Sequence, residues 1–582
     1  MSRARIVRIT GALVEACPLA GVGLYELARV GLNRLMGEVV RVEGDRATVQ
    51  VYEETTGLRV GEPVEPSGRG LSVHLGPGLL GSVLDGVGRP LFRVAEQTGD
   101  FIQPGTAAPT LDPSTRYAFD PAVEPGTEVA GGDVLGRVEE RPGFLHAILV
   151  PPGMKGKLAT IRSGAFTVEE SVGSLEDGRE LALAHAWPVR DPRPTGSRLP
   201  PERPFLTGQR IFDFLFPVAE GGSVSVPGGF GTGKTVIEQS LAKHADCDVV
   251  VFVGCGERGN EIAEVLGEFP RLIDARTGRS VLERTVLVVN TSNMPVAARE
   301  ASVYLGITIA EYFRDMGLRV AVLADSLSRW AEALREMGSR LQEIPGEEGY
   351  PNYLVNRLGK FYERSGRAAV LGRPERTGAL TFIGAISPPG GDFSEPVTQA
   401  SLRVAGALWA LDTTLAHQRQ FPAVDWETSY SLHAEQLMPW FSQYVGADWP
   451  ALRRNILELL QRDRDLREIA ALVGPGALQD SDRLVLETAR AIREAVLGQS
   501  AFDPKDAVSA VGKTYQLAAL TNRLYQAASG ALASGATFET LRLSTARQAL
   551  LALRDAGPEE LGDRTARASA AVDAIAPGGK AP

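Results

Sequence analysis

Residues 228–235 read Gly-Gly-Phe-Gly-Thr-Gly-Lys-Thr. The spacing fits G-x-x-x-x-G-K-[ST], the pattern of a phosphate-binding P-loop. Its glycines let the main chain wrap closely, so several N–H groups converge on phosphate oxygens. The first turn of a following helix adds partial positive charge at the same place. In such a loop Lys234 reaches the β- and γ-phosphates and Thr235 holds magnesium. The nucleotide-contacting stretch is expected to comprise Gly228, Gly229, Phe230, Gly231, Thr232, Gly233, Lys234, Thr235 and Val236.

Two charged groups end apolar runs. Residues 249–253 lead into Gly254-Cys-Gly-Glu-Arg-Gly-Asn-Glu261. A carboxylate at such a strand tip, Glu257, can polarise a water for attack on a terminal phosphate. A lone Glu at a strand end is usually a solvated loop charge, but a P-loop one strand earlier favours the catalytic reading. Residues 318–325 form an apolar strand ending in Asp325, the form of a Walker B segment whose carboxylate reaches magnesium. The ordinary alternative is a turn aspartate. Phosphoryl transfer also commonly draws ~10³–10⁵ in rate from an arginine finger, about 4 kcal/mol or more of barrier. Arg258 is the only arginine beside the expected base, and it has Glu257 or the phosphates as other partners. A finger supplied by a neighbour would leave the isolated chain nearly inactive. Phe421 and Phe502 are candidates to hold a base, although pattern alone assigns an aromatic to the core by default.

These residues need a scaffold. The alternating segment 222–226 before the P-loop reads as a strand, and 236–244 after it as a helix. Residues 248–254, 285–290 and 318–325 read as buried parallel strands, with helices over 295–316 and 328–339. This predicts a doubly wound parallel sheet across 196–430, a P-loop nucleotide-binding domain. Residues 1–70 carry a hairpin signature, Val40 and Val42 alternating into a Gly44-Asp45 turn and out through Ala47, Val49 and Val51, and predict a small β-barrel. Residues 71–109 read as a junction and 110–195 as a separate β-rich domain. Helical periodicity over 452–464, 481–497, 504–530 and 537–555 predicts a helical domain from 431 to 565, with a disordered tail at 566–582. The fold class is therefore multidomain α/β.

Composition sets limits. The 582 residues are 44% hydrophobic and 23% charged, ordinary for a globular chain. A net charge of −10 argues against nucleic acid as a partner. A nucleic-acid motor on the same core fold would need a basic channel. Cys17, Cys247 and Cys255 are too scattered for a disulfide framework or zinc site, and the six histidines show no metal-ligand spacing, which fits a reducing, cytoplasmic setting. Arg3, Arg5 and Arg8 before a short apolar run and Cys17 imitate a lipoprotein signal. Glu15 interrupts the run, so a half-buried strand is the better reading. Met154-Lys155 imitates a biotin- or lipoyl-bearing hairpin, but Gly156 stands where Met is usual. No apolar run approaches a membrane span.

The combined series of motifs resembles the catalytic A (alpha) subunit of V-type and archaeal A-type rotary ATPases. The resemblance rests on Leu206-Thr-Gly-Gln-Arg210, Leu215-Phe-Pro217, the P-loop, the 254–261 segment and Ala324-Asp-Ser326. It rests also on Ser328-Arg-Trp-Ala-Glu-Ala-Leu-Arg-Glu336, Pro345-Gly-Glu-Glu-Gly-Tyr350 and Ser387-Pro-Pro-Gly-Gly-Asp392. Residues 110–190 are similar to the bulge insertion of that family, which the F-type β subunit lacks, and the non-catalytic B subunit lacks a working P-loop.

The resemblance implies ATP/ADP with Mg2+ as ligands, Glu257 as catalytic carboxylate with Arg258 beside it, and Lys234 and Thr235 on phosphate and metal. It implies Asp325 in the metal shell and Phe421 and Phe502 at the adenine. It further implies an alternating ring with B subunits that supply the arginine finger, and contacts with central and peripheral stalk subunits. The expected function is ATP hydrolysis or synthesis coupled to proton or sodium movement, in a cytoplasmic head that meets the membrane only through other subunits. Gly229 stands where Pro is common, Thr232 where eukaryotic relatives carry a redox cysteine, and Glu220 where Lys is frequent.

Overall fold

A computed structural model describes residues 4–99, 101–274 and 276–575. Two compact units result, the first made of Met1–Pro200, Glu220–Pro227 and Cys247–Ala405, the second of Pro201–Ala219, Gly228–Asp246 and Gly406–Pro582.

In the first unit the chain begins with six antiparallel strands, Arg5–Thr10, Leu13–Cys17, Glu26–Val30, Leu35–Glu43, Arg46–Val51 and Val64–Gly70. In space the first is followed by the second, fifth, fourth, third and sixth. The sheet closes on itself where Arg5 bridges Pro63 and the Val64 N–H donates to the Ala4 carbonyl. Alternate side chains such as Val14, Val39, Val49 and Val51 fill the interior, as a period of two requires. The expected barrel is thus present, and Cys17 lies in a paired strand.

Two four-stranded sheets follow between Tyr117 and Ala182. Leu135, Val138, Ile148, Leu158 and Val172, drawn from both sheets, share one core. Lys155 opens a strand paired to Ala130.

The parallel sheet of this unit runs in the order Val83–Asp85, Thr285–Thr291, Val249–Glu257, Arg319–Asp325, Thr377–Ile386, Ser223–Pro227. Its strands are nearly continuous Val, Ile, Leu and Phe because both faces are covered. The helix Val296–Asp315 is buried along almost its whole length. Several of its charged residues are ion-paired, Glu300, Glu311, Arg314 and Asp315 among them. Arg190 Nη2 lies 2.7 Å from both Glu300 on that helix and Glu38 on the barrel, and the guanidinium stacks over Tyr25 and Tyr304.

The second unit contains the P-loop helix Lys234–His244 and a helical region. Its main helices are Ala434–Tyr444, Trp449–Val473, Asp480–Ala491 (continued by a π-helical turn, Ile492–Leu497), Val511–Ala533, Leu543–Arg554 and Leu561–Asp573. The helix expected from 504 begins only at Val511, because Asp506 is committed elsewhere: it pairs with Arg210 and accepts from the Ser500 N–H. The segment expected to be helical over 537–555 is broken between Phe538–Thr540 and Leu543–Arg554. Leu561–Asp573 crosses residues expected to lie in a disordered tail. Its buried side chains include only Ala568 and Val572, too small to signal an apolar face in sequence. The rest of that tail, 576–582, lies outside the described residues. Among the described residues no helix is long and apolar enough to cross a membrane.

Arg190→Ala would leave two buried carboxylates facing each other. It is expected to lower unfolding stability by about 3–5 kcal/mol, the range for breaking a buried pair, measured by urea denaturation of the full chain.

Candidate active site

The P-loop leaves the end of the strand Ser223–Pro227 and enters the helix Lys234–His244. Gly231 and Gly233 have φ of 78° and 85°, a region in which side-chain-bearing residues are strained. At Gly233 a second constraint acts: an added Cβ would lie 2.6 Å from the Phe421 ring. The Lys234 ammonium donates to the carbonyls of Gly228 (2.7 Å) and Gly229 (2.9 Å), and the Thr232 hydroxyl to Gly229 (2.9 Å). The loop thus holds its lysine folded over its own mouth. Thr235 sits in the first turn of the helix, and Lys243 and His244 in the last turn complement its dipole. Phe230 is 81% exposed at the loop's tip.

Phe421 and Phe502 come together in the same unit. Their rings meet edge to face, centroids 5.4 Å apart at 85°. Phe421 bridges Ser500, and the Ala501 N–H donates to the Phe421 carbonyl. Phe502 remains 68% exposed, so neither the default of a core phenylalanine nor simple burial describes it. One ring rests on the phosphate loop and the other stands beside it with a free face, an arrangement suited to stacking a planar base.

The carboxylates belong to the first unit. The register sets Gly254 opposite Asp325, and Glu257 ends the Val249–Glu257 strand three residues later, opposite Thr291. Asp325 is 7% exposed. Ser225, Val226 and Pro227 pair in parallel with Gly384, Ala385 and Ile386 on the strand next to Arg319–Asp325, where Ala324 lies opposite Gly384, and Pro227 is the residue before Gly228. The chain therefore enters the P-loop at the same edge of the sheet as Asp325 and Glu257.

Electrostatics at this edge are unusual. Burial first, then the charge of Asp325 and a hydrogen bond to Glu261, push the Glu257 carboxyl up to about 9. Arg329 pulls the other way. The Glu261 carboxylate is lowered by the same hydrogen bond, by the Arg258 backbone and by the charges of Arg258 and Arg329. Arg258 caps the helix Gly259–Glu268. Gly256, with φ of 73°, threads between two arginines: an added Cβ would meet Arg299 Cδ and Arg329 Cβ at 2.8 Å. Arg329 and Glu261 are the functional candidates that motif reading leaves without a role. Arg329 lies four positions after Asp325 and pairs with Glu332 at 3.0 Å, and its spacing from a Walker B carboxylate is the only sequence signal for it.

A phosphate cradle, a candidate base seat and a carboxylate-bearing strand edge on a parallel sheet define a P-loop ATPase. Comparisons with known proteins make this specific. Four family models match: the ATP synthase alpha/beta family nucleotide-binding domain over residues 208–431, the alpha/beta barrel-sandwich domain over 108–190, the C-terminal domain of V and A type ATP synthase over 438–541, and the alpha/beta family beta-barrel domain over 6–68. The V-type ATP synthase alpha chain of Anaeromyxobacter dehalogenans (strain 2CP-C) is 58% identical over 92% of both chains. An A-type ATP synthase A chain of Methanospirillum hungatei JF-1 is 52% identical over 94% of both. A solved structure of the assembled ATPase EscN from the enteropathogenic E. coli type III secretion system shares the fold, with a TM-score of 0.63 at 21% identity over 89% of this chain and 99% of that one. The chain belongs to the alpha (A) chain family of the V/A-type ATP synthases. The function of that family is rotary ATP synthesis or hydrolysis coupled to ion translocation, and its nucleotide-binding domain takes ATP and ADP.

A carboxyl held neutral in the folded chain binds a proton that the unfolded chain has released. Its stabilising effect is complete below the ordinary value of 4.5 and is lost as pH rises towards about 9. Glu257→Gln is neutral throughout. In metal-free buffer the melting temperature of the variant should exceed that of the parent by a margin that widens from pH 5 to pH 9; a constant margin would show that Glu257 is ionised in the folded chain.

Proposed function

We propose that this chain is the catalytic subunit of a rotary head and that Glu257 orients and deprotonates the water that attacks the γ-phosphate of ATP, or returns that proton during synthesis. The observation that carries this reading is the position of Glu257, on the sheet edge where the chain enters the P-loop, beside Asp325. Lys234 lies over the loop carbonyls at a distance that a phosphate would draw it from, and it neutralises charge on the β- and γ-phosphates. Arg258 and Arg329 add positive charge around Glu261, and Arg329 around Glu257 as well. Phe421 and Phe502 seat the adenine.

Magnesium suits the donors present. Among the described residues no cluster of three or more His, Cys, Asp or Glu side chains could hold a metal alone. Magnesium is characteristically bound by one or two protein oxygens together with substrate phosphates, and Asp325 and Thr235 are of that kind. Bound there, the ion would supply charge to the phosphates and offset the Asp325 charge that, after burial, raises the Glu257 carboxyl.

The arginine finger comes from non-catalytic B subunits that alternate with this chain in a ring, and the C-terminal helices contact central and peripheral stalk subunits. The head meets the membrane at its cytoplasmic face through those partners. The likeness of the C-terminal helices to those of V and A type synthases supports this reading of partners and location.

In the complex reconstituted with its B-type partner, Glu257→Gln should retain nucleotide binding and lose turnover by ~10²–10⁴-fold, the range for removing a general base. Steady-state hydrolysis and equilibrium ATP binding measured on the same preparation decide it. Turnover near the parent value would remove Glu257 from the role.

A further inference from the structure

The segment Leu206-Thr-Gly-Gln-Arg210 belongs to the second unit and is hydrogen-bonded on two sides. On one side it meets the P-loop helix. Gln209 Nε2 donates to Ser240 Oγ at 2.9 Å, and the Leu206 carbonyl accepts from the Asp246 N–H, just past the end of that helix, at 2.9 Å. On the other side it meets the stretch that carries Phe502. Gln209 Nε2 also donates to the Ala507 carbonyl (2.9 Å), and the Gly208 carbonyl accepts from the Ser509 N–H (2.8 Å) and from Gln499 Nε2 (3.1 Å). Gln209 and Arg210 are both buried. One short segment therefore joins the phosphate cradle to the backbone of the second aromatic ring.

Arg210 is the centre of this joint. The helix Asp480–Ala491 runs into the π-helical turn Ile492–Leu497, after which the Gly498 N–H reaches back to the Arg493 carbonyl. The last carbonyls of a helix have no partner within it. Here that of Val496 accepts from Arg210 Nε at 3.1 Å, and the Gly498 carbonyl accepts from Nη2. Nη1 donates to Asp506 Oδ1 at 2.6 Å, and Asp506 Oδ2 accepts from the Ser500 N–H at 3.0 Å. The Arg210 N–H donates to Gln499 Oε1 at 2.8 Å. A single residue thus grips the chain on both sides of Phe502, at Gly498 before it and at Asp506 after it.

Phe502 stands between these anchors with most of its ring in solvent. Its place is therefore set by its backbone and by the edge of Phe421, not by burial of the ring. Holding such a loop takes several donors in a fixed plane. A guanidinium supplies them, whereas an ammonium is a point donor on a flexible stem.

We propose that Arg210 is a positioning residue for the nucleotide base: it holds the Phe502 ring at a set distance from the P-loop, so that one ligand can meet the phosphate cradle and the ring together. This rests on the reading of Phe421 and Phe502 as the adenine seat. Arg210 is buried and acts through Gly498, Ser500 and Asp506. Gln209 serves the same end by tying Ala507 to the P-loop helix.

The test is a double-mutant cycle on ATP binding, read by calorimetric titration of the full-length chain in magnesium buffer. Phe502→Ala is expected to weaken binding about tenfold, the order of one base–aromatic stack. Arg210→Lys keeps a positive charge beside Asp506 but loses the fork, and is expected to weaken binding by a similar factor. The chain carrying both substitutions should bind no more weakly than Phe502→Ala alone, because a misplaced ring and an absent ring are the same loss. Losses that multiply in the double variant overturn the proposal, since Arg210 then acts by a route other than Phe502. If Phe502→Ala weakens binding and Arg210→Lys does not, the proposal falls and the adenine seat stands. If Phe502→Ala binds ATP like the parent, the adenine seat falls and the proposal with it. Should Arg210→Lys fail to fold, Gln209→Met takes its place in the cycle and decides by the same outcomes.

Discussion

In the parallel sheet Gly254 lies opposite Asp325, and the same strand runs on to Glu257. That register brings two carboxyl groups to one buried edge, with Glu261 in hydrogen-bond contact. Burial first, and the neighbouring Asp325 charge second, push the Glu257 carboxyl up to about 9. A slip of the register would move Asp325 away from Gly254 and turn its side chain to the other face. The strands are buried on both faces and packed around Val251, Val253, Val322 and Phe382, so such a slip is opposed by the whole core. The electrostatics of this carboxylate edge are in this sense a property of packing.

The P-loop and the carboxylate edge use different physics. The P-loop works through backbone: oriented N–H groups, two left-handed glycines and a helix start. Charge on its lysine is held locally by loop carbonyls. The carboxylate edge works through desolvation and like charge. A backbone cradle is insensitive to pH over the physiological range, whereas a crowded carboxyl pair is tuned by any cation that arrives beside it.

Much of this is legible in sequence because the signals are periodic or tightly spaced. The P-loop, the strand before it, the apolar strands ending at Glu257 and Asp325, and the alternating barrel segment 40–51 all carry short-range patterns that a single physical rule explains. What escapes reading depends on long-range company. Arg329 looks like an ordinary helix arginine until the Gly256 backbone is found against it. Arg193, Arg314 and Arg364 are far apart along the chain, and only the fold gathers them around Glu311 and Asp315. The helix Leu561–Asp573 is hard to see in sequence because its buried side chains, Ala568 and Val572, are too few and too small to mark a face. Periodicity over 504–530 overstates that helix because an aspartate that passes for a neutral helix residue is the counter-ion of Arg210.

The partnership of Phe421 with Ser500 and Phe502 bears on modularity. The family match for nucleotide binding ends at residue 431, yet the backbone that steadies Phe421 and the second ring of the pair come from Ser500, Ala501 and Phe502, well beyond it. Arg210 is anchored in the same way, to Val496, Gly498 and Asp506. A fragment cut at the family boundary would keep every residue of the phosphate motif and lose the wall against which a base could rest. The unit that evolution copies and the unit that can be excised intact are, in this chain, not the same stretch of polypeptide.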